Sequence, residues 1–245
     1  MKDLRADEWE ALALREPYFR VLNHEGRVET SGAGVPTDAF FETGETDIES
    51  LVSAVASVLG HDPCLTASLD FGCGAGRLTL PLARRSIRVV ACDVAPTMLV
   101  HARQNVENAG LRNVTFVALE ALSLLPGSQF DFVCSLLVFQ YIPDSAGYAI
   151  IRTLLDLLAP SGVAALHMIL RGPSARARFV RRAAGFRSQD DVRSAYTDTN
   201  VYDERAVRRV IDDAGARLIG RFTTGQDEAT GTVVIIEKPA ARPNG

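Results

Sequence analysis

Leu69-Asp70-Phe71-Gly72-Cys73-Gly74-Ala75-Gly76 sets an acid two residues ahead of three alternating glycines. The preceding Cys64–Leu69 is short, mostly apolar and predicts a buried strand; the following Arg77–Arg85 predicts a helix with an irregular middle at Pro81. Strand, glycine turn and helix in that order make a nucleotide-site geometry. Glycine permits the tight turn and lets a ligand approach the backbone without a Cβ in the way. The spacing is Gly-x-Gly-x-Gly, whereas the dinucleotide fingerprint is Gly-x-Gly-x-x-Gly. A carboxylate at Asp70 would repel a pyrophosphate and attract an ammonium group.

A second acid, Asp93, closes the next apolar strand, Arg88–Cys92. An acid at that point of such a sheet can accept hydrogen bonds from both ribose hydroxyls. The two acids together describe a ligand with an adenosine-like ribose and a positively charged tail. S-adenosylmethionine (SAM) fits that description better than NAD.

With those residues in hand, the chain resembles a class I SAM-dependent methyltransferase of the small-molecule type. The resemblance runs from about Leu69 to Met168 and rests on four stretches in order. Asp70–Gly76 matches the family's first motif, and Val89-Val90-Ala91-Cys92-Asp93 its second strand and ribose-binding acid. Phe130-Asp131-Phe132-Val133-Cys134-Ser135 looks like the fourth strand, and Leu158-Ala159-Pro160-Ser161-Gly162 the turn into the fifth. Each is weak alone; the ordered set is specific.

Regions of helical and strand pattern alternate from residue 46 onward, which argues for a parallel sheet covered by helices on both faces. The expected fold class is α/β. Thr46-Asp47-Ile48-Glu49 offers a capping box with Thr46 as N-cap, ahead of Leu51, Val52, Val55, Val58 and Leu59 at helical spacing. Further helices are predicted over Pro96–Ala109, Ser145–Leu158 and from Tyr202 to Ala214, with Gly110 and Gly215 as stops. Strands are predicted over Val114–Leu119, Asp131–Leu137, Val163–Leu170, Arg217–Thr223 and Thr232–Glu237. The resemblance, not the periodicity, implies a Rossmann-like seven-stranded sheet of order 3-2-1-4-5-7-6 with the last strand antiparallel. Residues 1–45 are read as an N-terminal helical cover with a helix near Asp7–Arg15. Residues 46–238 form the SAM-binding domain, 171–200 being an inserted cover segment with an Arg-rich helix at Ser174–Ala184. Residues 239–245 are read as a flexible tail. Both covers fall near the carboxyl ends of the strands, where open α/β sheets bind ligands; helices packed on the sheet flank are the alternative.

A length of 245 residues suits one large domain with additions, and 47% hydrophobic with 23% charged residues describes a globular chain. No apolar run approaches the roughly 18 residues of a membrane span. Met1–Glu10 is charged and lacks a signal-peptide core, so a cytoplasmic protein is expected. Cys64, Cys73, Cys92 and Cys134 have neither metal nor disulfide spacing and read as small buried hydrophobes. No metal site is expected. A net charge of −4 makes no case for nucleic acid. Basic residues are nearly all Arg.

By resemblance, Asp70 holds the methionine ammonium of SAM directly or through water, and Gly72, Cys73, Gly74 and Gly76 bring backbone close to it. Asp93 takes the ribose hydroxyls, with Val94 beside the adenine. Glu120 and Ala121 fall where the family binds the adenine edge, a surface Glu being the alternative, and Ser135 ends the fourth strand at the cofactor. On the acceptor side stand Gln140 and Tyr141, where many small-molecule members carry a His instead of this Tyr. His167, near the end of the fifth strand, belongs to the one residue class that titrates near neutrality and is a candidate base; a satisfied core His is the alternative.

The Asn/Asp-Pro-Pro-aromatic motif of amino-directed nucleic-acid methyltransferases is missing, as are the paired glutamates of protein arginine methyltransferases and a Pro-Cys nucleophile. A small-molecule acceptor, with a hydroxyl favoured, is therefore expected. The Arg residues between Arg171 and Arg193 could clamp an acidic one or form a solvated helix face. Two rivals remain open: an NAD(P)-dependent oxidoreductase, opposed by the glycine spacing and by the lack of a Tyr-x-x-x-Lys pair, and a SAM-binding protein without activity. Neither the acceptor nor the oligomeric state is written in a motif.

Overall fold

A computed structural model describes residues 6–15, 17–18, 38–171, 200–223 and 231–240. Seven strands make one sheet: β1 (Ala67–Phe71), β2 (Arg88–Asp93), β3 (Val114–Ala118), β4 (Phe130–Ser135), β5 (Leu158–Met168), and, after the two-residue strands β6 (Leu170–Arg171) and β7 (Tyr202–Asp203), β8 (Arg217–Thr223) and β9 (Thr232–Glu237). Their spatial order is β3-β2-β1-β4-β5-β9-β8. β1 to β5 pair in parallel, and β9 runs antiparallel to both neighbours. Counted as sheet strands, that is the expected order with its last strand reversed.

A sheet buried on both faces needs apolar residues at consecutive positions, not alternate ones. β9 satisfies this with Val233, Val234, Ile235 and Ile236 buried in a row. β1 buries all five residues but alternates Ala67, Leu69 and Phe71 with the hydrogen-bonded Ser68 and Asp70. Its odd positions, Leu69 and Phe71, join Val133, Leu166 and Met168 under helices α6 (Asp144–Leu157) and α7 (Glu204–Asp213). On the opposite face Phe132, Cys134 and Ala165 pack against Ile48, Leu51 and Val55 of α2 (Asp38–Leu59) and Leu82 of α3 (Thr79–Arg85). Helix α4 (Pro96–Asn108) approaches β2 closely because Ala102 meets Ala91 and Cys73 with little side-chain bulk. Helix α1 (Ala6–Arg15) lies against α4, and the short α5 (Leu119–Leu122) follows β3.

Several boundaries differ from expectation for identifiable reasons. Thr46 is not an N-cap: α2 begins at Asp38, and the Thr46 hydroxyl donates to the Glu42 carbonyl at 3.1 Å within the helix. The buried stripe already starts at Phe40 and Gly44, so the boundary drawn at 45/46 cuts through one continuous helix. β1 starts at Ala67 and leaves Cys64 exposed. β4 stops at Ser135, two residues short of the expected end, where Leu137 turns into the left-handed region with φ 61°. The helix near Asp7–Arg15 is present as α1. The helix predicted at Ser174–Ala184, with the Arg residues from Arg176 to Arg193, lies outside the described residues. So do residues 241–245 of the predicted tail. Among the described residues no helix is long and apolar enough to cross a membrane, and no cluster of His, Cys, Asp and Glu could hold a metal ion.

Candidate active site

The glycine turn leaves β1 with its first two N–H groups, Gly72 and Cys73, both donating to the Cys92 carbonyl at 2.8 and 2.9 Å. That pair ties the turn to the end of β2 and so to Asp93. Gly72 has φ 75°, and a Cβ there would collide with the Val138 side chain. Gly74 has φ 50°, and a Cβ there would meet nothing within 4 Å, so its backbone faces open space at the cleft. The N–H of Gly74 donates to Asp93 Oδ2 at 2.8 Å, and Ala95 N–H donates to Asp93 Oδ1 at 2.9 Å. Each oxygen keeps a lone pair for a further donor. Burial pushes the Asp93 carboxyl above its ordinary range, while the backbone N–H bonds pull it down.

Asp70 is only 1% exposed and sits behind the turn instead of on the cleft wall. Even-numbered positions of β1 face α3, and there Thr79 Oγ1 donates to Asp70 Oδ2 at 2.6 Å. Its other oxygen, Oδ1, is buried without a partner among the described residues. Burial pushes this carboxyl up to about 6, opposed by the Thr79 hydroxyl and the Arg77 guanidinium. A buried carboxylate oxygen left bare is costly unless a cation or donor arrives from outside the chain.

The cleft runs along the carboxyl ends of β1, β2 and β4. One wall is Phe71, Gly72, Gly74, Asp93, Val94, Met98 and Leu119; the other is the turn after β4, with Leu136, Leu137, Val138, Gln140, Tyr141 and Ile142. Trp9 of α1 closes it, meeting Tyr141 edge-on at 5.1 Å between ring centres. The placement of Trp9 follows from its neighbour. Glu10 accepts hydrogen bonds from Thr97 N–H, at 3.1 Å, and from the Thr97 hydroxyl, setting an acid at the amino end of α4 where the helix dipole favours it.

Of the residues singled out from sequence, Gly72, Gly74, Asp93, Val94, Gln140 and Tyr141 come together on this cleft. The others do not line it. Cys73 turns its thiol into the contact with Ala91 and Ala102, and Gly76 faces Ala102 and Leu80. Glu120 is exposed; the wall is built by its neighbour Leu119, because α5 begins there and carries the side chain of Glu120 outward. Ala121 is on the same short helix, off the wall. Ser135 is buried with no partner for its hydroxyl among the described residues, on the face of β4 opposite Cys134.

His167 is 1% exposed, its ring pressed against Gly231, where a Cβ would collide with Nε2. Its Nδ1 accepts from Leu137 N–H at 3.4 Å, so it supports the turn after β4 from behind and does not reach the cleft as a base. Sequence reading missed Trp9, Phe71, Met98, Leu119 and the apolar Leu136–Val138. Apolar residues at strand ends look like core, and only the lone tryptophan ahead of the fold carried a usable signal. Burial pushes the thiols of Cys73, Cys92 and Cys134 up, which leaves them unreactive.

Residues 69–162 match a family model described as a methyltransferase domain. A ubiquinone biosynthesis O-methyltransferase from Methylobacterium sp. (strain 4-46) is 30% identical over 200 residues, covering 75% of this chain and 77% of that protein. The chain belongs to the class I SAM-dependent methyltransferases. A ubiquinone biosynthesis O-methyltransferase from Psychrobacter cryohalolentis is 35% identical over 108 residues, and the matched part spans 41% of that protein, about two-fifths of its length. The fold is shared with a magnesium protoporphyrin IX methyltransferase from Synechocystis PCC 6803 with bound S-adenosylhomocysteine (SAH). There the TM-score is 0.64 at 20% identity, covering 97% of this chain and 100% of that one. An N-methyltransferase from Bradyrhizobium japonicum WM9 in complex with SAH gives a TM-score of 0.61 at 16% identity, over 97% of this chain and 100% of that one. The cofactor of this methyltransferase family is SAM.

Proposed function

We propose that the chain transfers the methyl group of SAM to a hydroxyl of a small-molecule acceptor. The observation that carries the reading is Asp93, fixed by two backbone N–H groups on the wall of a cleft that opens at Gly74. Its free lone pairs suit two ribose hydroxyls, and Val94, Met98 and Leu119 offer an apolar slot for the adenine. The bare Asp70 Oδ1 suits the methionine ammonium, reached through water because Asp70 lies behind the turn. The donor set therefore fits SAM. When bound, SAM supplies a methyl group on a sulfonium.

Bound SAM would supply that methyl for in-line transfer to the acceptor oxygen, leaving as the thioether SAH, with the hydroxyl proton passing to water. Alignment and exclusion of water account for most of the help a protein can give such a displacement. Here Trp9 and the apolar turn after β4 exclude water, and Gln140 and Tyr141 orient the acceptor. Among the described lining residues none is His or Lys, and Asp93 is engaged by backbone. The acceptor hydroxyl is accordingly one acidic enough to release its proton to water, as a phenol does. The relatives' names as O-methyltransferases support oxygen as the receiving atom.

No basic side chain lines the described cleft, and the Arg residues from Arg176 to Arg193 lie outside the described residues. Three buried free thiols and a reaction on a diffusible metabolite fit the cytoplasm.

The test is transfer of labelled methyl from SAM to a panel of phenols, aliphatic alcohols and amines, with SAH binding measured alongside. Turnover confined to phenols supports the reading. Transfer to amines alone overturns the choice of oxygen; SAH binding without any transfer favours a silent SAM-binding protein.

A further inference from the structure

The turn Phe139–Tyr141 after β4 is a single 3-10 turn, and it presents Gln140 and Tyr141 to the cleft. Such a turn leaves carbonyls that its own short length cannot satisfy. The partners come from the far side of the chain. Tyr202 is fully buried, and its hydroxyl donates to the Ile142 carbonyl at 2.8 Å and is shared with the Phe139 carbonyl at 3.1 Å. Asn200 donates its backbone N–H to the Gln140 carbonyl at 2.8 Å and its side-chain amide to the same oxygen at 3.3 Å. Two residues reaching in from beyond β6 thus pair the Gln140 and Ile142 carbonyls, and Tyr202 adds a second donor to the Phe139 carbonyl, which already accepts from Ile142 N–H at 3.0 Å.

A place is built for this tyrosine. Gly147 lies within α6, where glycine costs about 1 kcal/mol relative to alanine. A Cβ at Gly147 would collide with the Tyr202 hydroxyl, Cε1 and Cζ. The ring is also met edge-on by Phe139 and by Tyr148, whose hydroxyl accepts from Asp203 N–H at 3.1 Å. The opposite end of the same connection is fixed separately: Val138 wedges against Gly72, and His167 accepts from Leu137 N–H. The cofactor-side end and the acceptor-side end of the connection therefore have different anchors.

We propose that Tyr202 is a positioning residue, whose buried hydroxyl sets the Phe139–Tyr141 turn and so aims Gln140 and Tyr141 at the acceptor. Its kinetic consequence rests on the methyl-transfer reading above. Its structural consequence does not, because the chain's one tryptophan, Trp9, touches Tyr141 and reports on its position.

The experiment compares wild type with Tyr202→Phe and Gly147→Ala in thermal unfolding, SAH calorimetry, acceptor kinetics and tryptophan emission. Tyr202→Phe removes only the hydroxyl. Gly147→Ala displaces it from outside the cleft while improving helix propensity. The expected result is acceptor kcat/KM lower by about tenfold or more in both variants, as misplacement of reacting groups by a fraction of an ångström produces. SAH affinity is expected to stay within about threefold, since no bond to the cofactor wall is lost. Trp9 emission shifts in both.

Unchanged acceptor kinetics and emission in both variants, with only the melting temperature lowered, would show Tyr202 to be core filling and overturn the proposal. So would SAH affinity falling in step with acceptor kinetics. If the wild type transfers methyl to nothing in the panel, the methyl-transfer reading fails, and the emission arm alone decides the role of Tyr202.

Discussion

Asp70 shows at the residue scale how a buried carboxyl opposes the stability of the ligand-free protein. Its carboxyl is held at about 6 in the fold against 3.8 for an unburied aspartate, chiefly by burial. Between those two values the folded chain holds a proton that the unfolded chain has released. Unfolding free energy therefore falls as pH rises through this window, by at most about 3 kcal/mol. Asp70→Asn should raise the melting temperature of the ligand-free protein at pH 7.5, with the gain vanishing below about pH 4.

The same substitution should weaken SAM and SAH. In the wild type, SAH affinity should fall as pH drops below about 6, because the ammonium loses its charged partner. Calorimetry from pH 5 to 8 on both proteins checks this, and a flat profile in the wild type would remove Asp70 from the ammonium site. Asp93 differs in kind, because both its oxygens already accept backbone N–H bonds. Asp93→Ala should lose the ribose contacts and loosen the glycine turn together.

At the scale of elements, α2 does work that its sequence conceals. Arg77, 3% exposed, directs its guanidinium to Asp47 at 2.5 Å and Thr43 at 3.3 Å, and its carbonyl lies where a Cβ at Gly44 would sit. Read as a sequence, Thr46 looks like a cap, and nothing in the local pattern extends the helix back through Gly44. The helix passes through both because the glycine lets it approach the turn after β1, a tertiary demand that local pattern does not carry. Gly44→Ala should destabilise the fold by about 2 kcal/mol despite its better helix propensity, read as a lower urea midpoint with unchanged slope. Helix α1 is anchored more lightly, through Glu10 on Thr97. Glu10→Gln should leave the melting temperature nearly unchanged and raise the SAH dissociation constant severalfold, as Trp9 covers the cleft less of the time. Proteolysis near Arg15, with and without SAH, monitors the same release.

For the whole molecule, the order of the sheet came from the family resemblance that four spaced motifs carry; periodicity alone gave an α/β alternation and no order. The wall of the cleft built by the glycine turn and the end of β2 was legible too. Its residues are glycines with positive φ and an acid at a strand end, and few other roles call for that combination. The opposite wall, the turn after β4, was not. It is formed largely by Leu136, Leu137, Val138 and Ile142, which read as core, and is met by Trp9, brought in by a helix sixty residues ahead of the glycine turn. His167 misled for the converse reason. It stands at the right strand end, but strand alternation turns it to the α2 face, against Gly231 and behind the cleft. Glu120 misled by a single position, because β3 hands over to α5 one residue earlier than its pattern indicated.

The central claim is that Asp93 and the glycine turn hold SAM in this cleft. Calorimetric titration of the wild type and Asp93→Ala with SAH, and of the wild type with NADH, tests it most directly. The account predicts micromolar SAH binding in the wild type, its loss in a variant that still melts cooperatively, and no heat from NADH. Binding of NADH, or SAH affinity unchanged in Asp93→Ala, would contradict it.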